Sequence, residues 1–108
     1  MTKKQQNTSK FSRILFKVSG EAMMGSKGFG HDIEAISKIC KQIIKAHEIG
    51  CEICVVVGGG NIFRGMSQAA EGMVRVSADY MGMLATCING LALQSALEKQ
   101  GVATRMMS

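Results

Sequence analysis

Apolar and polar positions along the chain fall into a short series of regular elements behind a polar start. Residues 1–12 are a mainly polar tail. Arg13-Ile14-Leu15-Phe16-Lys17-Val18-Ser19 then reads as a largely apolar strand that stops at Gly20, followed by the glycine-rich turn segment Gly25 to Gly30. Asp32 is placed to cap a helix, Glu34 suits its first turn, and Ile33, Ile36, Ile39, Cys40, Ile43 and Ile44 form one apolar face at helical spacing. Gly50 ends that helix. Cys51 to Val57 is continuously apolar apart from Glu52, which predicts a strand covered on both faces in a parallel sheet. Strand, long helix, strand is the pattern of a right-handed crossover unit. A second long helix is predicted from about Arg75 to Gln100, carrying Met81, Leu84, Ile88 and Leu91 on one stripe. Gly82, Ala85, Gly90 and Ala92 keep that helix thin enough for close packing. Beyond Gly101, Val102 to Met106 is predicted to begin a third strand. The fold class is α/β, with residues 1–12 as a tail and 13–108 as one domain.

Composition narrows the function classes. The chain has 108 residues, 46% hydrophobic and 19% charged, which fits a single globular domain. No apolar run reaches the roughly 20 residues that a membrane-spanning helix needs. The basic start has no apolar stretch behind it, so a cytoplasmic protein is expected. The net charge of +5 comes mostly from Lys3, Lys4, Lys10 and Arg13, ahead of any acidic residue, which leaves the body nearly neutral. With 5% aromatics and no Trp, nucleic-acid binding is poorly supplied. Cys51 and Cys54 lie three apart on a strand and so point to opposite faces, which suits neither a zinc site nor a redox pair. They are read, with Cys40 and Cys87, as buried reduced thiols, and no metal site is assigned. The nine methionines are read as core or interface filling, and His31 and His47 as solvent-facing.

The chemistry concentrates at Gly58-Gly59-Gly60-Asn61-Ile62-Phe63-Arg64-Gly65, directly after the second strand. Three glycines leave bare backbone where a strand emerges, and Arg64 offers a cation suited to phosphate. Gly60 and Gly65 have Walker spacing, but Met66 follows where Lys is required, and Phe63 stands where a dinucleotide fingerprint needs Gly. Ser19-Gly20 ends strand one on the same carboxyl edge, the edge at which open α/β sheets bind ligands. Lys17, set between Phe16 and Val18, is placed to reach a phosphoryl group there.

Lys17-Val18-Ser19-Gly20-Glu21-Ala22, the run from Gly58 to Gly65, and Ala78-Asp79-Tyr80-Met81-Gly82-Met83-Leu84-Ala85-Thr86 closely resemble the bacterial uridylate kinases of the amino-acid kinase superfamily. The resemblance covers about residues 11–108. It implies a three-layer α/β/α sandwich with a mainly parallel sheet, present here as an incomplete N-terminal half. It also implies transfer of the ATP γ-phosphoryl group to UMP, with Mg²⁺ accompanying ATP. By the same resemblance Lys17 stabilises the transferring phosphoryl group, and Val18, Ser19 and Gly20 complete the ATP-phosphate loop. Gly60 and Arg64 contact ATP, while Gly59 and Asp79 contact UMP. Gly25, Ser26, Lys27, Gly28, Phe29 and Gly30 match the segment tied to GTP activation. UTP is a further implied regulator, and self-association as a hexamer is implied. Family members continue well past Ser108 into a UMP-binding loop, an adenine pocket and a catalytic Asp. The chain alone is therefore expected to be inactive, and a non-catalytic remnant that binds phosphate ligands or other subunits is the alternative.

Overall fold

The computed structural model describes residues 12–63 and 72–107. Strand β1 (Arg13–Val18) is followed by a short helix α1 (Gly20–Met24), helix α2 (Ile33–Glu48), strand β2 (Glu52–Val57) and helix α3 (Arg75–Lys99). The two strands pair in parallel, with Arg13 opposite Glu52 and Val18 opposite Val57. The ladder runs past both ends, since the Glu52 amide donates to the Ser12 carbonyl (2.9 Å) and the Gly58 amide to the Val18 carbonyl (3.0 Å). Arg13 and Glu52, facing each other in register, form an ion pair of 2.7 Å.

Local signals account for most of these boundaries. The Asp32 carboxylate accepts from the Ala35 amide and caps α2. Gly50, at φ 99°, takes the left-handed conformation just beyond the helix end. The segment after β1 contains α1, a helix the apolar pattern does not signal. It exists because Ser19 caps it, its hydroxyl accepting from the Ala22 amide. Val18, Met23, Ile36, Cys40, Ile43, Leu93 and Leu97 form the core, with Phe16, Ile53, Val55 and Val57 of the sheet against it.

Three expectations change. First, β2 is covered on one face only: Ile53, Val55 and Val57 pack on the core, whereas Cys54 and Val56 are exposed beside Leu15 and Lys17 of β1. Among the described residues, helices cover one side of the sheet. Second, α3 is turned relative to its apolar stripe. Met81, Leu84, Ile88 and Leu91 are exposed, Leu84 by 63%, while Ala78, Ala85, Asn89, Leu93 and Leu97 are buried. α3 is apolar around most of its circumference, so closeness of approach, not hydrophobicity, decides which side goes in. Third, Val102 to Met107 form no strand. This stretch has inward and outward positions in alternation but no ladder partner among the described residues. It folds back on α3 instead: the Val102 amide donates to the Leu97 carbonyl, Thr104 donates to Glu98, and Met106 lies over Gly90. Only Cys40 and Cys51 of the four cysteines are buried.

Candidate functional site

The site grows from the carboxyl ends of β1 and β2. Because the strands are parallel, the turns that leave them, Ser19-Gly20 and Gly58-Gly59-Gly60, emerge side by side. A cleft of about 520 Å³ opens there, lined by Lys17, Val18, Ser19 and Gly58 together with Val57 and residues of α1 and α2. Lys17 is exposed, stands opposite Val56 in register, and forms no ion pair with another described residue. Its ammonium group is therefore uncommitted on this side of the molecule.

Two of the glycines at this edge are required by the protein's own packing. A Cβ on Gly20 would overlap Asn61 Oδ1 and lie 2.7 Å from the Gly60 nitrogen. A Cβ on Gly59 would lie 2.9 Å from Ala85 Cβ and 3.0 Å from the Thr86 nitrogen. The β1 turn thus nests against the β2 turn, and the β2 turn against α3. Gly58 differs: the nearest atom to its would-be Cβ is the Gly20 nitrogen at 3.7 Å, an ordinary contact. The turn continues as one tight loop, with the Ile62 and Phe63 amides both donating to the Gly59 carbonyl.

Beneath these turns lies a polar network that the sequence reading missed. Asn89 of α3 is fully buried and Asn61 is 4% exposed. Asn89 Nδ2 donates to the Gly58 carbonyl and to Asn61 Oδ1, both at 2.7 Å. Asn61 Nδ2 donates to the Gly30 carbonyl (2.8 Å) and to Asn89 Oδ1 (3.2 Å). His31 Nε2 lies 2.7 Å from Asn89 Oδ1, so His31 is half-buried and bonded, not solvent-facing as expected. One signal was available in the sequence: a lone Asn in the middle of an apolar helix, whose amide must find partners if that side is buried.

Lys17, Val18, Ser19, Gly20, Gly59 and Gly60 are thus gathered at one edge. Asp79 lies in the first turns of α3, exposed, with its carboxylate 3.3 Å from Arg75 Nε one helical turn earlier. It is six residues from Ala85, about 9 Å along the helix axis. The segment from Gly25 to Gly30 joins the edge through its last residue, whose amide donates to the Asn61 carbonyl (2.9 Å), while Lys27, Gly28 and Phe29 project into solvent. Arg64 lies outside the described residues, as do residues 1–11. No three His, Cys, Asp or Glu side chains cluster as a metal cage among the described residues. The described residues do not by themselves fit a resident Mg²⁺.

Comparison with known proteins decides the family. The amino acid kinase family model matches residues 12–108. The chain belongs to the amino acid kinase family. It is similar to the uridylate kinase of Wolbachia pipientis wMel, 56% identical over 104 residues, which are 96% of this chain and 42% of that protein. Among solved structures it matches UMP kinase from Ureaplasma parvum with a TM-score of 0.78 and 38% identity, over 89% of this chain and 40% of that one. It also matches UMP kinase from Bacillus anthracis with a TM-score of 0.77 and 37% identity, over 83% and 37%. The chain therefore spans about two-fifths of the length of these amino acid kinase relatives. The parallel sheet with its helices is the N-terminal portion of that fold.

Proposed function

We propose that this chain supplies one side of a UMP kinase site, at which the γ-phosphoryl group of ATP passes to UMP to give UDP in pyrimidine nucleotide synthesis. The observation that carries the reading is the single carboxyl edge on which Lys17, Ser19-Gly20 and the Gly58–Gly60 turn meet. Its setting supports it, in a chain 56% identical to a uridylate kinase along 104 residues. Phosphoryl transfer depends on positioning and on stabilising charge that spreads over the transferring group. In this reading the Lys17 ammonium neutralises that charge, and backbone amides of Val18 to Gly20 and of Gly60 hold the ATP phosphates with Arg64. Gly59 and Asp79 hold UMP, Asp79 through ribose hydroxyls. The Gly25–Gly30 segment, with Ser26, Lys27, Gly28 and Phe29, is the proposed point of GTP activation, and UTP a further proposed regulator. A cytoplasmic setting completes this reading.

Radiolabelled ATP tests the reaction. The 108-residue chain alone is expected to give negligible UDP, and robust UDP formation lost in Lys17→Ala would show that this portion suffices. Binding tests the site: UMP should raise the melting temperature, and Asp79→Asn or Arg64→Ala should reduce that rise. No shift with UMP, UTP or ATP would remove the nucleotide reading.

A second reading is a non-catalytic subunit-binding module. The exposed apolar residues of α3, including Tyr80, Leu84 and Leu91, favour it, as does the uncovered sheet face around Leu15 and Val56. Self-association through these faces is compatible with both readings, and sedimentation of the chain across concentration measures it.

A further inference from the structure

The amides of Asn61 and Asn89 pair head to tail, each donating to the other's oxygen. Their orientations follow from chemistry. The Gly58 carbonyl can only accept, so Asn89 must present its nitrogen to it, and the Gly30 carbonyl fixes Asn61 in the same way. Asn89 Oδ1 is thereby turned toward His31, and the 2.7 Å contact requires a proton on His31 Nε2. Every polar atom of the buried Asn89 side chain is used. One amide pair therefore holds three separate pieces of chain: the Gly25–Gly30 turn at the Gly30 carbonyl, the strand-end turn at the Gly58 carbonyl, and the centre of α3.

We infer that Asn61 and Asn89 are positioning residues, a two-amide clamp that couples the Gly25–Gly30 turn to the Gly58–Gly60 turn. The inference rests on the proposal that the latter turn meets a nucleotide, and it adds that occupancy there is transmitted to Gly30. The route is short and explicit. A ligand that settles on the Gly58–Gly60 backbone orders the Gly58 carbonyl, hence Asn89, hence Asn61, whose side chain and carbonyl hold both backbone groups of Gly30. Both amides are buried, where a half-satisfied pair is costly and a complete one behaves as a unit. Packing reinforces the link, because Gly20 is seated against Asn61 with no room for a Cβ between them.

Hydrogen exchange on the full 108-residue chain, followed residue by residue by NMR, tests the clamp with UMP as probe. Without ligand, Asn89→Ser should raise exchange at the Gly30 amide about tenfold relative to the Cys40 amide in α2. Equal acceleration at both positions would mean general destabilisation and overturn the clamp. In the unsubstituted chain, saturating UMP should slow exchange at Gly59, Gly60 and Gly30 together. In Asn89→Ser it should slow Gly59 and Gly60 and leave Gly30 unchanged, a difference that a merely structural role would not produce. Slowing at Gly59 and Gly60 without Gly30 in the unsubstituted chain would overturn the coupling, and this arm needs no variant to fold. His31→Ala, which removes one of the bonds to Asn89, should weaken the response at Gly30 without abolishing it. If UMP alters no amide, the nucleotide reading fails, while the ligand-free comparison still decides the clamp.

Discussion

Adjacent glycines of one turn are predicted to respond very differently to a single added methyl group. In Gly59→Ala the new Cβ falls 2.9 Å from Ala85 Cβ, 3.0 Å from the Thr86 nitrogen and 3.1 Å from the Ala85 carbonyl carbon. Two of these three are backbone atoms of α3, which cannot swing away as a side-chain end would. The turn or the helix must move, and overpacking of this kind costs about 1–3 kcal/mol. In a domain of this size each kcal/mol lowers the melting temperature by about 4–8 °C, so a loss of about 10 °C is expected. In Gly58→Ala the nearest atom is at 3.7 Å, and the residue does not have the positive φ that only glycine tolerates. Its stability should stay within about 0.5 kcal/mol of the parent. Urea and thermal unfolding followed by circular dichroism measure both. Ala85→Gly added to Gly59→Ala removes the closest contact but leaves the two backbone contacts, and it costs about 1 kcal/mol in helix propensity. A double-mutant cycle should therefore give a favourable coupling between positions 59 and 85. Equal stabilities for Gly58→Ala and Gly59→Ala would refute the claim that the turn is packed against α3.

Other expectations follow from the same structure. Thiol labelling under native conditions should modify Cys54 first and Cys40 last, because Cys40 is fully buried and burial pushes its thiol pKa up. By the same shift the unfolded chain ionises this thiol first, so stability should fall as pH rises past the ordinary thiol range. Cys40→Ser should flatten that slope in pH-dependent urea unfolding. Gly20→Ala should destabilise at least as much as Gly59→Ala, since its Cβ would overlap Asn61 Oδ1 and the Gly60 nitrogen, and thermal unfolding reads it. Leu84→Lys on the exposed side of α3 should leave monomer stability within about 0.5 kcal/mol and reduce any self-association seen by sedimentation.

The parts of the fold readable in advance were those carried by local chemistry. Asp32 and Glu34 announced α2, Gly50 announced its end, and two apolar runs separated by that helix announced parallel strands. α3 shows where such reading fails. Its large side chains, Met81, Leu84, Ile88 and Leu91, make the obvious stripe, yet the Gly59 backbone needs Ala85 beside it. The face that turned inward therefore carries Ala78, Ala85 and Asn89 toward its first half and the core residues Leu93 and Leu97 toward its end. Val56 and Cys54 misled for a related reason: an apolar strand face looks the same whether its cover is part of the described chain or not. At the site, Lys17, Ser19-Gly20 and the triple glycine were legible because strand direction alone brings them together. Asn61, Asn89 and His31 were not, since their meaning depends on pairing across 28 and 58 positions of sequence, which no local pattern carries.

The claim that the carboxyl edge of the β1–β2 sheet is a nucleotide face is tested most directly by amide chemical-shift titration of the chain with UMP and with ATP. The account predicts saturable shifts at Val18, Ser19 and Gly20 with ATP, and at Gly59 and Asp79 with UMP. Lys17→Ala should weaken the ATP response. Saturating nucleotide that leaves all five of those amides in place would contradict it.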